Sequence, residues 1–137
     1  MSVHDGQLAD EAAFFEYDAD LWPLYLRLRT ALLARHPELG VEVCRTQISF
    51  RADAVLGCVS LPVRRRRDWP QRFLLVTFGL PQPVTHDRIR IATEAAPGRW
   101  THHVCVETEA EIDSELLGWL DAAWDFAAAR RGRRKKK

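Results

Sequence analysis

Apolar positions along the chain keep two different periods. Over residues 8–17, Leu8, Ala12 and Phe15 recur at helical spacing with Phe14 beside them, which predicts a short amphipathic helix. A second helix is predicted after Asp20, its candidate cap, with Pro23 in the first turn, where the missing N–H costs nothing. Leu21, Leu24, Tyr25, Leu28, Ala31 and Leu32 carry the 3.6-residue period until His36, Pro37 and Gly40 stop it.

The middle of the chain changes period. "VEVCRTQISF" (41–50), "AVLGCVSL" (54–61) and "RFLLVTFGL" (72–80) are short, rich in β-branched and aromatic residues, and separated by turn-like breaks. "DRIRIAT" (87–93) alternates charge with isoleucine, and "WTHHVCVET" (100–108) is a fifth candidate strand. Residues 73–80 are apolar at nearly every position, which predicts a strand covered on both faces or one whose second face meets a partner. For the last helix, Thr108 and Glu111 fit a capping box and Asp113 is a second candidate cap. Ile112, Leu116, Trp119, Leu120, Ala123, Trp124 and Ala127 trace its apolar face to about residue 130. Helices, about five strands, then a helix predict an α+β fold: an antiparallel sheet with N-terminal helices and a C-terminal helix packed on it.

Length and composition agree with one domain. The 137 residues, 47% hydrophobic and 28% charged, suffice for a core without disulfides or metal. No apolar run approaches the roughly 20 residues of a membrane span, and the acidic start lacks the pattern of a signal peptide. Cys44, Cys58 and Cys105 are an odd number without paired spacing, so they are read as reduced thiols of a cytoplasmic protein.

Charge divides the chain. Arg130, Arg131, Arg133, Arg134, Lys135, Lys136 and Lys137 hold seven of the 20 basic residues, while all 19 acids precede them, leaving a net −6 on the rest. The expectation is a folded domain over 1–129 and a basic disordered tail over 130–137 that attracts nucleic acid without sequence preference. "RRRRDW" (64–69) is read as a solvated loop, with a phosphate-contacting loop and Trp69 as a stacking platform the sharper reading.

Candidate chemistry centres on the histidine pair. Strand side chains alternate, so Trp100, His102, Val104 and Val106 share one face and Thr101, His103, Cys105 and Glu107 the other. Two histidines on opposite faces do not grip one metal, and no CxxC or HxxxH spacing exists, so neither a metal nor another cofactor is expected. His102 among apolar neighbours reads first as a core histidine and second as an imidazole at a pocket rim. Arg45, Gln47, Ser49 and Arg51 fall on one face of the first predicted strand, as a solvated surface or as the floor of an anion site.

"RTQISF", "TFGLP" followed by "HDRI", "EAAPGRWTHHVCV" and "IDSELLGWLDAAW", in that order, resemble the bacterial family catalogued as domain of unknown function 5655, over about residues 22–128. That name carries no activity. Similar domains occur alone or at the end of longer proteins. The resemblance implies that Arg45, Gln47, Arg88, Arg99, His102 and His103 line a site. The resulting expectation is a bacterial cytoplasmic module that binds a small anionic ligand without catalysis. The alternative is an enzyme using His102 or His103 as general acid or base on a phosphate- or carboxylate-bearing substrate. A third reading is a partner domain, including a homodimer, that pairs through the sheet or the tryptophan-rich last helix.

Overall fold

A computed structural model of the chain describes residues 3–16, 18–61, 69–70 and 72–135, and side chains only from residue 7 to 129 of these. Helices α1 (Val3–Phe14) and α2 (Trp22–Arg35) precede strands β1 (Gly40–Val43), β2 (Ile48–Arg51), β3 (Val55–Ser60), β4 (Leu74–Leu80), β5 (Ile89–Ala96) and β6 (Arg99–Val106); α3 (Ser114–Lys135) follows. The six strands form one antiparallel sheet in the order β1-β2-β3-β4-β6-β5. The fold is α+β, with all three helices packed on the sheet.

Strand alternation sets the core. Leu74, Val76, Phe78 and Leu80 of β4 are buried, while Leu75, Thr77 and Gly79 between them are half exposed. The apolar run at 73–80 is therefore covered on one face. Ile48, Phe50, Val59, Val104 and Val106 join that face, and Leu28 and Leu32 of α2 with Leu116, Leu120 and Ala123 of α3 close over it. At about 25 cal/mol for each Å² of apolar surface removed from water, this layer is the main stabilising term.

The predicted strand at 41–50 is instead a hairpin. β1 and β2 pair as Val41↔Phe50 and Val43↔Ile48, and the Cys44 N–H bonds the Gln47 carbonyl at 2.8 Å across the turn. Arg45 therefore sits exposed in a turn and does not share a strand face with Gln47, Ser49 and Arg51. Cys44 to Gln47 contains no glycine, proline, asparagine or aspartate, so the usual punctuation for a turn is missing.

Helix ends also differ from expectation. α1 begins at Val3 and stops at Phe14. Asp20 does not cap α2; it lies within a 3-10 turn, Ala19–Leu21, and its carboxylate takes Arg72 at 2.7 Å. Both candidate caps before α3 are used, on different turns. The Thr108–Glu111 box closes the 3-10 turn Glu109–Glu111, and Asp113 accepts from the Leu116 N–H at 3.0 Å to start α3. The α3 backbone runs on to Lys135, past the predicted end, so the basic run begins within the helix.

Polar contacts fix the helices to one another. Glu11, fully buried on α1, takes Arg29 Nε of α2 at 2.7 Å and also accepts from the Tyr25 hydroxyl. Asp121 of α3 holds Arg35 at 2.7 Å and His36 at 2.8 Å, and the His36 ring stacks on Trp124 at 4.5 Å. Trp119 stacks on Phe78 at 5.8 Å. Trp119 and Trp124 thus pack inward against the protein's own core.

Both sheet edges are modified. At β1, Gln7 of α1 donates to the Val41 carbonyl. At the other edge, β5 carries two register shifts, at Ile89/Ile91 and at Glu94/Ala96. A Pro97–Gly98 turn, with Gly98 at φ 74°, returns β5 into β6; a side chain would strain that backbone.

Candidate functional site

His102 and His103 take opposite faces of β6, as alternation requires. His102 pairs with Phe78 and lies in the core with no exposed surface; its ring is 5.3 Å from that of Phe78 and within 8° of parallel. Its Nε2 accepts from the Val84 N–H at 3.0 Å. Val84 belongs to the segment that leaves β4, passes over β6 and enters β5 on its far side, so the imidazole pins this crossover. Burial lowers the His102 pKa, with the backbone at Phe78 and Trp100 acting weakly against it, so the ring is neutral at pH 7. With Nε2 accepting, Nδ1 carries the proton, and it meets no acceptor at hydrogen-bond geometry among the described residues.

His103 faces the other way, half buried, with Nδ1 at 2.9 Å from the Thr77 hydroxyl. Burial lowers its pKa, and His102 lowers it further. A polar row crosses this face through paired residues: Glu42, Ser49, Cys58, Thr77 and His103. Gln47 Nε2 donates to Ser49 Oγ at 2.9 Å. Burial raises the Cys58 pKa, partly offset by a hydrogen bond to Thr77, so this thiol stays protonated at neutral pH.

The remaining sites separate. Arg88 donates to Asp113 at 2.9 Å, to Glu115 at 3.0 Å and to the Glu111 carbonyl at 2.6 Å, and lies 6.0 Å over Trp119. It fastens the start of α3 to the strap before β5. Arg45 is at the far β1–β2 turn. The structure therefore does not bring Arg45, Arg88 and His102 around one concavity. Trp69 lies edge-on to Phe73 at 5.7 Å, and residues 62–68, including Arg64 to Arg67, lie outside the described residues. So do the side chains of Arg130, Arg131, Arg133, Arg134, Lys135, Lys136 and Lys137. No three metal-ligating side chains converge among the described residues.

Arg99 is placed differently. β3 and β4 pair as far as Gly57↔Phe78 and part beyond it. A cleft of about 100 Å³ opens at that fork, lined by Thr77, Thr101, Cys58 and Arg99 and by Leu56, Ala123, Phe126 and Ala127 of the helix side. The fork depends on Gly57, where a Cβ would stand 2.3 Å from the Thr77 carbonyl oxygen. A register shift at Phe50/Arg51 skips Leu56, which is buried in the core cluster although Cys58, two residues on, joins the opposite face. Arg99 is half buried, and among the described residues it has no carboxylate partner. Arg29, Arg35, Arg72 and Arg88 have one, while Arg27, Arg45, Arg51 and Arg90, like Arg99, have none among the described residues, and of these five only Arg99 lines the cleft. Of the residues that line the cleft, the sequence analysis singled out Arg99 and not Thr77, Thr101 or Phe126. No local motif marks them, because the cleft draws on elements far apart in the chain.

A family model described as domain of unknown function (DUF5655) matches residues 11–127 of the 137. No curated protein and no solved structure matches the chain.

Proposed function

The chain belongs to the DUF5655 family, and we propose that it is a binding module that takes a small anion into the fork between β3 and β4. The observation that carries this reading is Arg99: a half-buried arginine lining a cleft with Thr77 and Thr101, and without a carboxylate partner among the described residues. A guanidinium with open donors favours a planar anion that accepts two of them. His103 supports the site from behind through Thr77. Binding is favoured over catalysis because the one thiol of the cleft, Cys58, is held protonated and the nearest imidazole bonds a hydroxyl that the thiol also uses.

The three cysteines are free thiols, which suits a reducing bacterial cytoplasm. The basic run from Arg130 to Lys137 adds salt-sensitive attraction to nucleic acid that is separate from the cleft. The test is a backbone amide NMR titration of the full chain with acetate and with inorganic phosphate. Shifts confined to Gly79, Arg99 and Thr101, weakened at least tenfold by Arg99→Gln, are expected. Absence of any anion-dependent shift at these residues overturns the reading.

A further inference from the structure

Resting on that reading, we infer that the ligand is a small monocarboxylate with a short aliphatic tail, its carboxylate forked by Arg99 and its tail seated against Leu56, Phe126 and Ala127. The cleft has two chemically different sides. Arg99, Thr77 and Thr101 give one positive charge and two hydroxyls on the strand side. Leu56, Phe78, Ala123, Phe126 and Ala127 give an apolar wall on the helix side. Arg99 is the single charged residue among the described residues that line the cleft. One cation matches one negative charge. A phosphate, near two negative charges at pH 7, draws on several cations, and the lining residues supply one.

The apolar wall argues for a tail. A fully polar anion would leave the half-buried Phe126 facing its hydration shell, and a short alkyl chain removes that surface from water. Size bounds the tail. An opening of about 100 Å³ holds about three waters at ~30 Å³ each, so the tail is short. The small side chains at Ala123 and Ala127 leave this room, because both are buried where α3 meets the sheet.

The experiment titrates the full chain with acetate, butyrate and inorganic phosphate, following the amides of Gly79, Thr101 and Phe126. Butyrate is expected to bind about tenfold tighter than acetate for its two extra methylenes, and phosphate more weakly than either. Phe126→Ala should reduce the ratio of butyrate to acetate affinity towards one, and Arg99→Gln should weaken both acids. Equal binding of acetate and butyrate, or tighter binding of phosphate, overturns the tail and the monocarboxylate while the anion site stands. No shift with any of the three removes the site as well.

Discussion

The His102 imidazole lies flat on the Phe78 ring, 5.3 Å from it and 8° from parallel, and from there accepts the Val84 N–H. A neutral ring suits both contacts; an imidazolium at Nε2 would turn an acceptor into a donor facing another donor.

Stability should therefore depend on pH in a defined window. The folded pKa values of His102 and His103 are lowered, so the unfolded chain binds more protons once pH falls below its own histidine value of about 6.5. Their contribution is complete above that value and declines as pH falls through the lowered folded values. Urea midpoints should be flat from pH 8 to 7 and fall below about 6.5. His102→Phe should flatten that slope while lowering stability at pH 7.5 by about 1–3 kcal/mol, since the Val84 N–H loses its acceptor. An unchanged slope would place the pH response elsewhere.

A separate loss is expected at lower pH. The Leu116 N–H and Arg88 hold the Asp113 carboxyl below the usual range, and Arg35 and His36 do the same for Asp121. Their stabilisation is present above a pH of about 4 and goes as pH drops through the lowered values. Asp121→Asn should remove part of this acid limb and leave the histidine limb intact, as read by urea midpoints across pH 2–5.

Glu11 and Arg29 make the most consequential single pair. Glu11→Ala leaves a guanidinium buried without its partner, which costs about 3–5 kcal/mol, or a Tm lower by roughly 10–20 °C. Replacing both, Glu11→Leu with Arg29→Met, should recover most of the loss, because the pair is itself expensive to bury. A double variant as unstable as the single one would mean that the ion pair contributes strongly net of desolvation.

Two strand glycines should respond in opposite directions. Gly57→Ala forces a Cβ within 2.3 Å of a backbone oxygen and should destabilise by about 1–3 kcal/mol. Gly79→Ala meets nothing nearer than 3.9 Å, so thermal unfolding should show a gain of about 0.5 kcal/mol from the lost backbone freedom.

Thiol reactivity should rank by burial. The Cys105 pKa is pushed up by burial to about 11, and that of Cys58 is also raised. Cys44, on the exposed side of the β1–β2 turn, should be alkylated by iodoacetamide first at pH 8, and Cys105 last, as read by peptide mass spectrometry.

The α+β class was legible because the periods of α2, α3 and β6 are long and clean; alternation alone put His102 inside. The hairpin at Cys44–Gln47 was not, since its turn uses ordinary residues and the alternation reads continuously through it. Arg88 was assigned to a site although its partners, Asp113 and Glu115, lie some 25 residues away and satisfy it. The cleft was hidden for a related reason: Arg99, Thr77 and Phe126 come from β6, β4 and α3 and meet where β3 and β4 part beyond Gly57↔Phe78, and local pattern carries no record of that.

The treatment of the sheet edges bears on solubility. Backbone groups along an open strand are templates for another chain, the first step towards fibrils. Here a glutamine occupies one rim and two bulges buckle the other. Rims of this kind are poor templates for edge-to-edge pairing with a second copy.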